Sequence, residues 1–230
     1  MRTAAFLIAM ALFMSSNASA GVEAGIAAYN TGDYAAARKN FLAAASTGEP
    51  AGKHLLASLY YQGHGTPKDI SRAVALFKEA ADAGYAPSQA NLALMYSKGD
   101  GVPADMKLAL SYSKRAAESG DLQSQFNLAQ SYRRGAGVPQ DNEQAAHWYR
   151  RAAEAGHGPS QNEYGLLCAQ GQGVPLDFIQ AFAWIDMPAS AGDPHSTKNR
   201  AQLLQILSPS ELKRAQALAV EYAKRFGSRR

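Results

Sequence analysis

The sequence predicts an all-α fold in which helix-turn-helix units stack into an α-solenoid. Three observations carry this. First, Gly63-His64-Gly65-Thr66-Pro67-Lys68-Asp69 returns 36 residues later as Gly99-Asp100-Gly101-Val102-Pro103-Ala104-Asp105. It returns again as Gly135 to Asp141 and as Gly171 to Asp177. A fixed period of this length marks a repeat architecture. Second, alanine is abundant and β-branched residues are sparse, which favours helix because alanine loses no side-chain entropy there. Third, most of the 20 glycines fall in the repeated loops or at unit ends, where they act as helix punctuation and not as a low-complexity tract. With 47% hydrophobic residues, the chain can build a packed core.

Taken in order, the chain starts with the pattern of a secretory signal peptide over residues 1–20. Arg2 supplies a positive start, Ala4 to Met14 an apolar run, and Ala18-Ser19-Ala20 an A-x-A cleavage site. The run is too short to span a bilayer. Cleavage after Ala20 is expected, with delivery to the periplasm or outside the cell. An uncleaved anchor or a buried helix is the alternative. No cysteine stands at the cleavage point, against a lipoprotein. Losing Arg2 lowers the formal net charge from +4 to +3. That mild charge does not imply nucleic acid, and export makes nucleic acid a poor partner.

A short unit over residues 21–48 follows, then four units at 49–84, 85–120, 121–156 and 157–192. Alanines keep the 36-residue step (Ala73, Ala109, Ala145, Ala181; Ala81, Ala117, Ala153, Ala189), and Gly84, Gly120, Gly156 and Gly192 close the units. Asp33, Ala37, Phe41 and Gly48 of the short unit stand one step before Asp69, Ala73, Phe77 and Gly84.

The second full unit shows the physics. A helix over 87–98 carries Leu92, Ala93 and Tyr96 on one face. Gly99 can adopt positive φ and end it, and Pro103 stiffens the loop. Asp105 is placed to cap a second helix running from about Met106 to Ser119. Gln144 and Gln180, three residues after Asp141 and Asp177, are placed for capping boxes. Helices this short are marginal alone and need stacked neighbours.

These residues resemble Sel-one-like repeats, relatives of the tetratricopeptide repeat. The third unit matches best, through Gln125, Asn127, Leu128, Tyr132, Gly135, Gly137, Val138, Pro139, Asp141, Ala145, Trp148, Tyr149, Ala152, Ala153 and Gly156. Ala93 and Ala129 stand where the family has glycine. The first unit is more like a plain tetratricopeptide hairpin, through Tyr29, Gly32, Asp33, Tyr34, Ala37 and Phe41. The resemblance covers residues 21–193. It implies a right-handed α-solenoid serving as an adaptor or assembly platform in bacterial envelopes, and it implies no substrate. Exported relatives with a cysteine pair in each repeat are linked to β-lactam binding. This chain has the single Cys168 and lacks those pairs.

Past residue 193 the pattern changes. Pro188 replaces the alanine of positions 80, 116 and 152, so a helix end or kink is expected near Met187. Residues 194–207 read as one helix. Ser208-Pro209-Ser210-Glu211 reads as a full capping box opening a helix to about Arg225. Residues 194–230 are read as a C-terminal cap with a basic tail, or as a separate docking helix. The tail carries Lys213, Arg214, Lys224, Arg225, Arg229 and Arg230. It is either solvated or in weak contact with an anionic envelope surface.

No catalytic or metal constellation stands out, and no cofactor is implied. His54, His64, His147, His157 and His195 form no metal-ligand spacing. Cys168 falls 36 residues after Tyr132, a position expected in the core, so an inert thiol is expected. The chain is therefore read as a non-enzymatic scaffold that binds a protein or peptide. In tetratricopeptide-like arrays the first helix of each pair lines the groove. Its unit-specific residues here are Asn91, Lys98, Asn127, Gln130, Arg133, Arg134 and Glu163. The Arg133-Arg134 pair points to an acidic peptide or carboxylate partner. Asn91 and Asn127 also match the repeat pattern and are equally read as structural. Two other functions stay open: an envelope enzyme or ligand binder acting on peptidoglycan or β-lactams, and a secreted effector acting on host proteins. Oligomeric state is not legible.

Overall fold

A computed structural model describes residues 19–227, which form twelve helices and no strand. The expected signal peptide lies outside the described residues, apart from Ser19 and Ala20. The chain divides into two compact units, Met1–Ser119 and Gly120–Arg230.

The first unit holds α1 (Ala20–Asn30), α2 (Tyr34–Ser46), α3 (Pro50–Gln62), α4 (Ile70–Asp82), α5 (Ala86–Lys98) and α6 (Met106–Glu118). They pair as three hairpins, α1/α2, α3/α4 and α5/α6, and α2 packs on α3 as α4 packs on α5. Phe41, Leu55, Leu59, Phe77, Leu92 and Met95 fill the core between them. Burying side chains of this size stabilises by about 1.5–3 kcal/mol each. At Gly25 an added Cβ would stand 2.3 Å from the Phe41 ring, so α1 lies directly on that aromatic.

The α3/α4 and α5/α6 hairpins are closed the same way. The side chains of Asp69 and Asp105 accept from backbone N–H groups of the first turns of α4 and α6. Gly99, at φ 71°, ends α5 in the left-handed region. The N–H of Asp105 donates back to the carbonyl of Tyr96 at 2.9 Å, and Asp69 does so to Tyr60.

The second unit holds α7 (Leu122–Arg134), α8 (Asn142–Glu154), α9 (Gly158–Gln170), α10 (Phe178–Ser190), α11 (Pro194–Ile206) and α12 (Pro209–Phe226). Here α7/α8 and α9/α10 form hairpins, α8 packs on α9, and α10 packs on both α11 and α12. Buried glutamines tie hairpin to hairpin. Gln161 donates to the carbonyl of Ala153 at 3.2 Å, as Gln89 in the first unit donates to Ala81 at 3.0 Å. Each amide adds a donor to a carbonyl near the end of the preceding helix that also accepts from the closing glycine, Gly156 or Gly84.

Two expectations need correction. Helix α10 does not end at Met187; it continues through Pro188 to Ser190. Pro188 stands in the last turn, so only one intrahelical hydrogen bond is lost, and the N–H of Asp193 donates to its carbonyl at 3.0 Å. The capping boxes at Asp141 and Asp177 do not form. The aspartate N–H groups they require donate instead to Tyr132 and Cys168 carbonyls at 2.9 Å. Gln180 turns its amide to the Asp177 carboxylate at 3.2 Å. The box at Ser208 and Glu211 does form. In the C-terminal segment, α12 makes no hairpin with α11. It lies along α10 and touches α8, with Trp184 against Tyr222 and Phe226 at centroid distances of 4.6 and 5.2 Å.

Candidate functional site

Every site residue expected from the sequence falls on the first helix of a hairpin. In the first unit, α5 carries Asn91, half-buried, and Lys98, exposed in the last turn. In the second unit, α7 carries Asn127 and Arg134, both exposed, with Gln130 and Arg133 half-buried between them; α9 carries Glu163, half-buried. Positions 91, 127, 163 and 199 share one register of the 36-residue step.

The second unit brings two of these residues together. Arg133 of α7 forms an ion pair with Glu163 of α9. The pair is part-exposed, so it contributes at most about 1 kcal/mol. Its consequence is for binding: the Arg133 charge is already balanced inside the chain. The side chains of Arg133 and Arg134 are therefore not one double-charged clamp. Arg134 is exposed and forms no ion pair among the described residues. Behind the pair stands Tyr149 of α8, which is fully buried. Burial first, and the Glu163 charge second, push its hydroxyl up to about 12, with Arg133 opposing. Asn127 accepts from Gln123 at 2.9 Å. Gln140 reaches back from the loop to donate to the Arg133 carbonyl at 3.1 Å.

Sequence reasoning missed Asn199. It continues the register of Asn91, Asn127 and Glu163 onto α11 and donates to Asn162 of α9 at 2.8 Å. The signal was the same 36-residue step, carried one unit further than the G-x-G loops extend. The first-helix face of the second unit thus presents amides and one unpaired cation, held by a ladder of side-chain bonds from α7 to α11.

Elsewhere, Cys168, His54, His64 and His157 are taken up by burial or hydrogen bonds. Cys168 is buried; burial first, and Asp177 second, raise its thiol to about 11, so it stays protonated and weakly nucleophilic. His157 is engaged with Ser160 at 2.8 Å and lies edge-on to Phe126. His54 is buried, bonded to Ser88 Oγ at 2.9 Å, and desolvation lowers its pKa to about 4. His64 stacks on Tyr34 at 4.4 Å and meets the Tyr29 hydroxyl at 3.0 Å. His147 is exposed beside Trp148. Among the described residues, no group of three His, Cys, Asp or Glu could hold a metal ion. None of the described helices is long and apolar enough to cross a membrane.

A cavity of about 670 Å³ opens in the second unit between the start of α9, the end of α10 and α12. Pro159, Met187, Pro188 and Val220 give it apolar walls. Its one carboxylate deep in a helix, Asp186, is held by Arg200 at 2.8 Å.

Residues 50–85, 86–121, 122–157 and 158–193 each match the family model described as Sel1 repeat. Each match begins one residue later than the units read from the sequence. Among solved structures, the chain is similar to a Sel1 repeat protein from Oxalobacter formigenes, with 33% identity and a TM-score of 0.71. The match covers 74% of this chain and 49% of that one, so the chain spans about half the length of that protein. It also aligns with a protective antigen present in uropathogenic Escherichia coli strains displaying an SLR fold. There the identity is 24% and the TM-score 0.46, over 90% of this chain and 61% of the other. A putative Sel1 repeat protein from Klebsiella pneumoniae subsp. pneumoniae aligns at 20% identity and TM-score 0.48, over 80% and 91%. None of the curated proteins matches the chain.

Proposed function

We propose a function from the premise that the chain belongs to the Sel1 repeat family. Proteins of this family are generally protein-interaction scaffolds. The reading here is an exported, non-enzymatic adaptor that binds a protein or peptide along the first helices of its hairpins. The observation that carries it is the α7–α9–α11 face. Its exposed side chains differ from unit to unit at one register (Arg134, Gln170, Ile206), whereas buried alanines of the second helices repeat (Ala145 and Ala181, Ala153 and Ala189). Surfaces of this kind supply the area of about 800 Å² per partner that a standard interface uses.

The partner presents carboxylates to Arg134 and hydrogen-bonding groups to Asn127 and Gln130. With Arg133 held by Glu163, Arg134 is the cation that distinguishes this reading. The test is capture of a binding partner from envelope extracts by the wild-type chain and by Arg134→Glu and Glu143→Lys. Glu143 sits exposed on α8, a second helix. Loss with Arg134→Glu and retention with Glu143→Lys is expected. Equal capture by all three sinks the first-helix assignment.

Export follows from residues 1–20, and N-terminal sequencing of the exported chain tests it; a chain that still begins at Met1 contradicts it. Cleavage after Ala20 would remove Ser19, whose hydroxyl accepts from Val22 N–H at 3.4 Å and also donates to Glu49. The mature chain would therefore start α1 without a side-chain cap, at a cost of about 1 kcal/mol.

A further inference from the structure

The net charge of this chain sits in one place. Residues 209–230 hold six of its 23 Lys and Arg and two of its 19 Asp and Glu, which leaves seventeen of each over residues 1–208. Residues 1–208 are formally neutral as a set. The whole formal charge of +4 belongs to α12 and the four residues after it.

The structure shows which way α12 points that charge. At about 100° per residue, Leu212, Ala215, Ala219, Tyr222 and Phe226 share one side. Ala215 and Ala219 are buried there, and Tyr222 and Phe226 stack on Trp184 of α10. The opposite side carries Lys213, Ala217, Val220 and Lys224 in one stripe, flanked by Arg214 and Arg225. All six are exposed, and Val220 is 56% exposed. Glu221 is the one acid on that side; Glu211 is spent on the Ser208 cap at the helix start. Since α12 lies along α10 and does not pair with α11, its charged side faces solvent along its whole length of about 27 Å at 1.5 Å per residue.

We infer that this outward face of α12 docks the protein onto an anionic phospholipid surface. Cations line a straight helix and flank a small exposed apolar strip, Ala217 and Val220. That is the pattern of a helix lying in a headgroup layer: lysine stems extend to phosphate while the apolar residues enter the boundary. The lining of the 670 Å³ cavity includes Val220 but none of the four cations. The charged stripe is exposed and lies outside that cavity, which suits a fluid lipid surface better than a partner seated in a cleft. Each cation near such a surface contributes about 1 kcal/mol, and the attraction fades with salt. The first-helix face of the second unit is not used, so the inference stands apart from the adaptor reading.

The test is flotation of the full chain with vesicles of phosphatidylglycerol and phosphatidylcholine at one to three, against pure phosphatidylcholine. The probes are wild type, Lys213→Gln/Lys224→Gln, and Lys39→Gln/Lys107→Gln as a control on the first unit, all with unchanged circular dichroism. Expected are binding to the anionic vesicles alone, reversal by 0.5 M salt, and about thirty-fold weaker binding for the α12 pair. The control pair should match wild type. Equal binding to both vesicle types, no binding to the anionic ones, or equal effects of the two double variants overturns the proposal. So does retention by duplex DNA or an acidic protein at lower concentration than by anionic vesicles, with the same loss in the α12 pair.

Discussion

Two loops with the same motif and the same backbone are held in different ways. Gly137 and Gly173 are the second glycines of G-x-G loops one repeat apart, at φ 77° and 70°. At Gly173 an added Cβ would stand 2.0 Å from the carbonyl oxygen of Asn142, the first residue of α8. At Gly137 it would meet nothing within 4 Å. The backbone conformation alone calls for glycine at both positions. Only at 173 does a neighbouring helix call for it as well. Sequence periodicity reports the demand that the two loops share and is silent on the one that separates them.

Substitution separates the two demands most sharply. Gly173→Ala should cost about 3 kcal/mol or more, because left-handed strain adds to a clash with backbone that cannot turn away. Gly137→Ala should cost about 1 kcal/mol, from strain alone. Urea midpoints measure both, and equal costs would break the comparison.

The next effect is a pH dependence at a residue whose state its neighbours dictate. The His54 ring faces Phe77 of α4, Tyr85 before α5 and Ser88 of α5, while Ser58 on its own helix donates to the His54 backbone carbonyl. No carboxylate is bonded to it. Burial lowers its pKa from 6.5 to about 4. In that window the unfolded chain binds the proton and the folded chain resists it. Stability is therefore fully present above pH 6.5 and is lost as pH falls toward 4, by up to about 3 kcal/mol. His54→Gln should flatten that slope. An unchanged slope would place the acid sensitivity elsewhere.

A smaller effect is expected at Gln161, which donates to the carbonyls of Ala153 and Phe226. Gln161→Ala leaves both without that donor and should cost about 2 kcal/mol, loosening α12 first. Hydrogen exchange would show this as faster exchange in α12 than in α7. The smallest change is expected from Arg150→Ala, which breaks an exposed i,i+4 pair with Glu154. It should cost under about 0.5 kcal/mol, and a larger loss would show that the solvent face is not energetically quiet.

Features set by a few adjacent residues were legible in the sequence. The N-caps at Asp69, Asp105, Asp141 and Asp177, the stop at Gly99 and the box at Ser208 all depend on chemistry within one turn. Burial of Cys168 was legible because the period carries it onto a core position. What the sequence hid depends on partners far along the chain. The boxes expected at Asp141 and Asp177 fail because their N–H groups are taken by the Tyr132 and Cys168 carbonyls. The Arg133–Glu163 pair joins residues 30 apart, and it converts an apparent double cation into a single exposed one. The path of α12 follows from Trp184 receiving Tyr222 and Phe226, which no local pattern announces. Pro188 misled for a related reason: its cost depends on where the helix ends, and α10 ends two residues later.

The central claim is that partners meet the first helices of the hairpins and not the second. A photo-crosslinking amino acid placed singly at Asn127, Gln130 and Arg134 on α7, and at Glu143 and His147 on α8, tests it directly in cells. The account predicts one crosslinked species shared by the three α7 positions and absent from both α8 positions. The same species from α8, or none from α7 while α8 yields one, would contradict it.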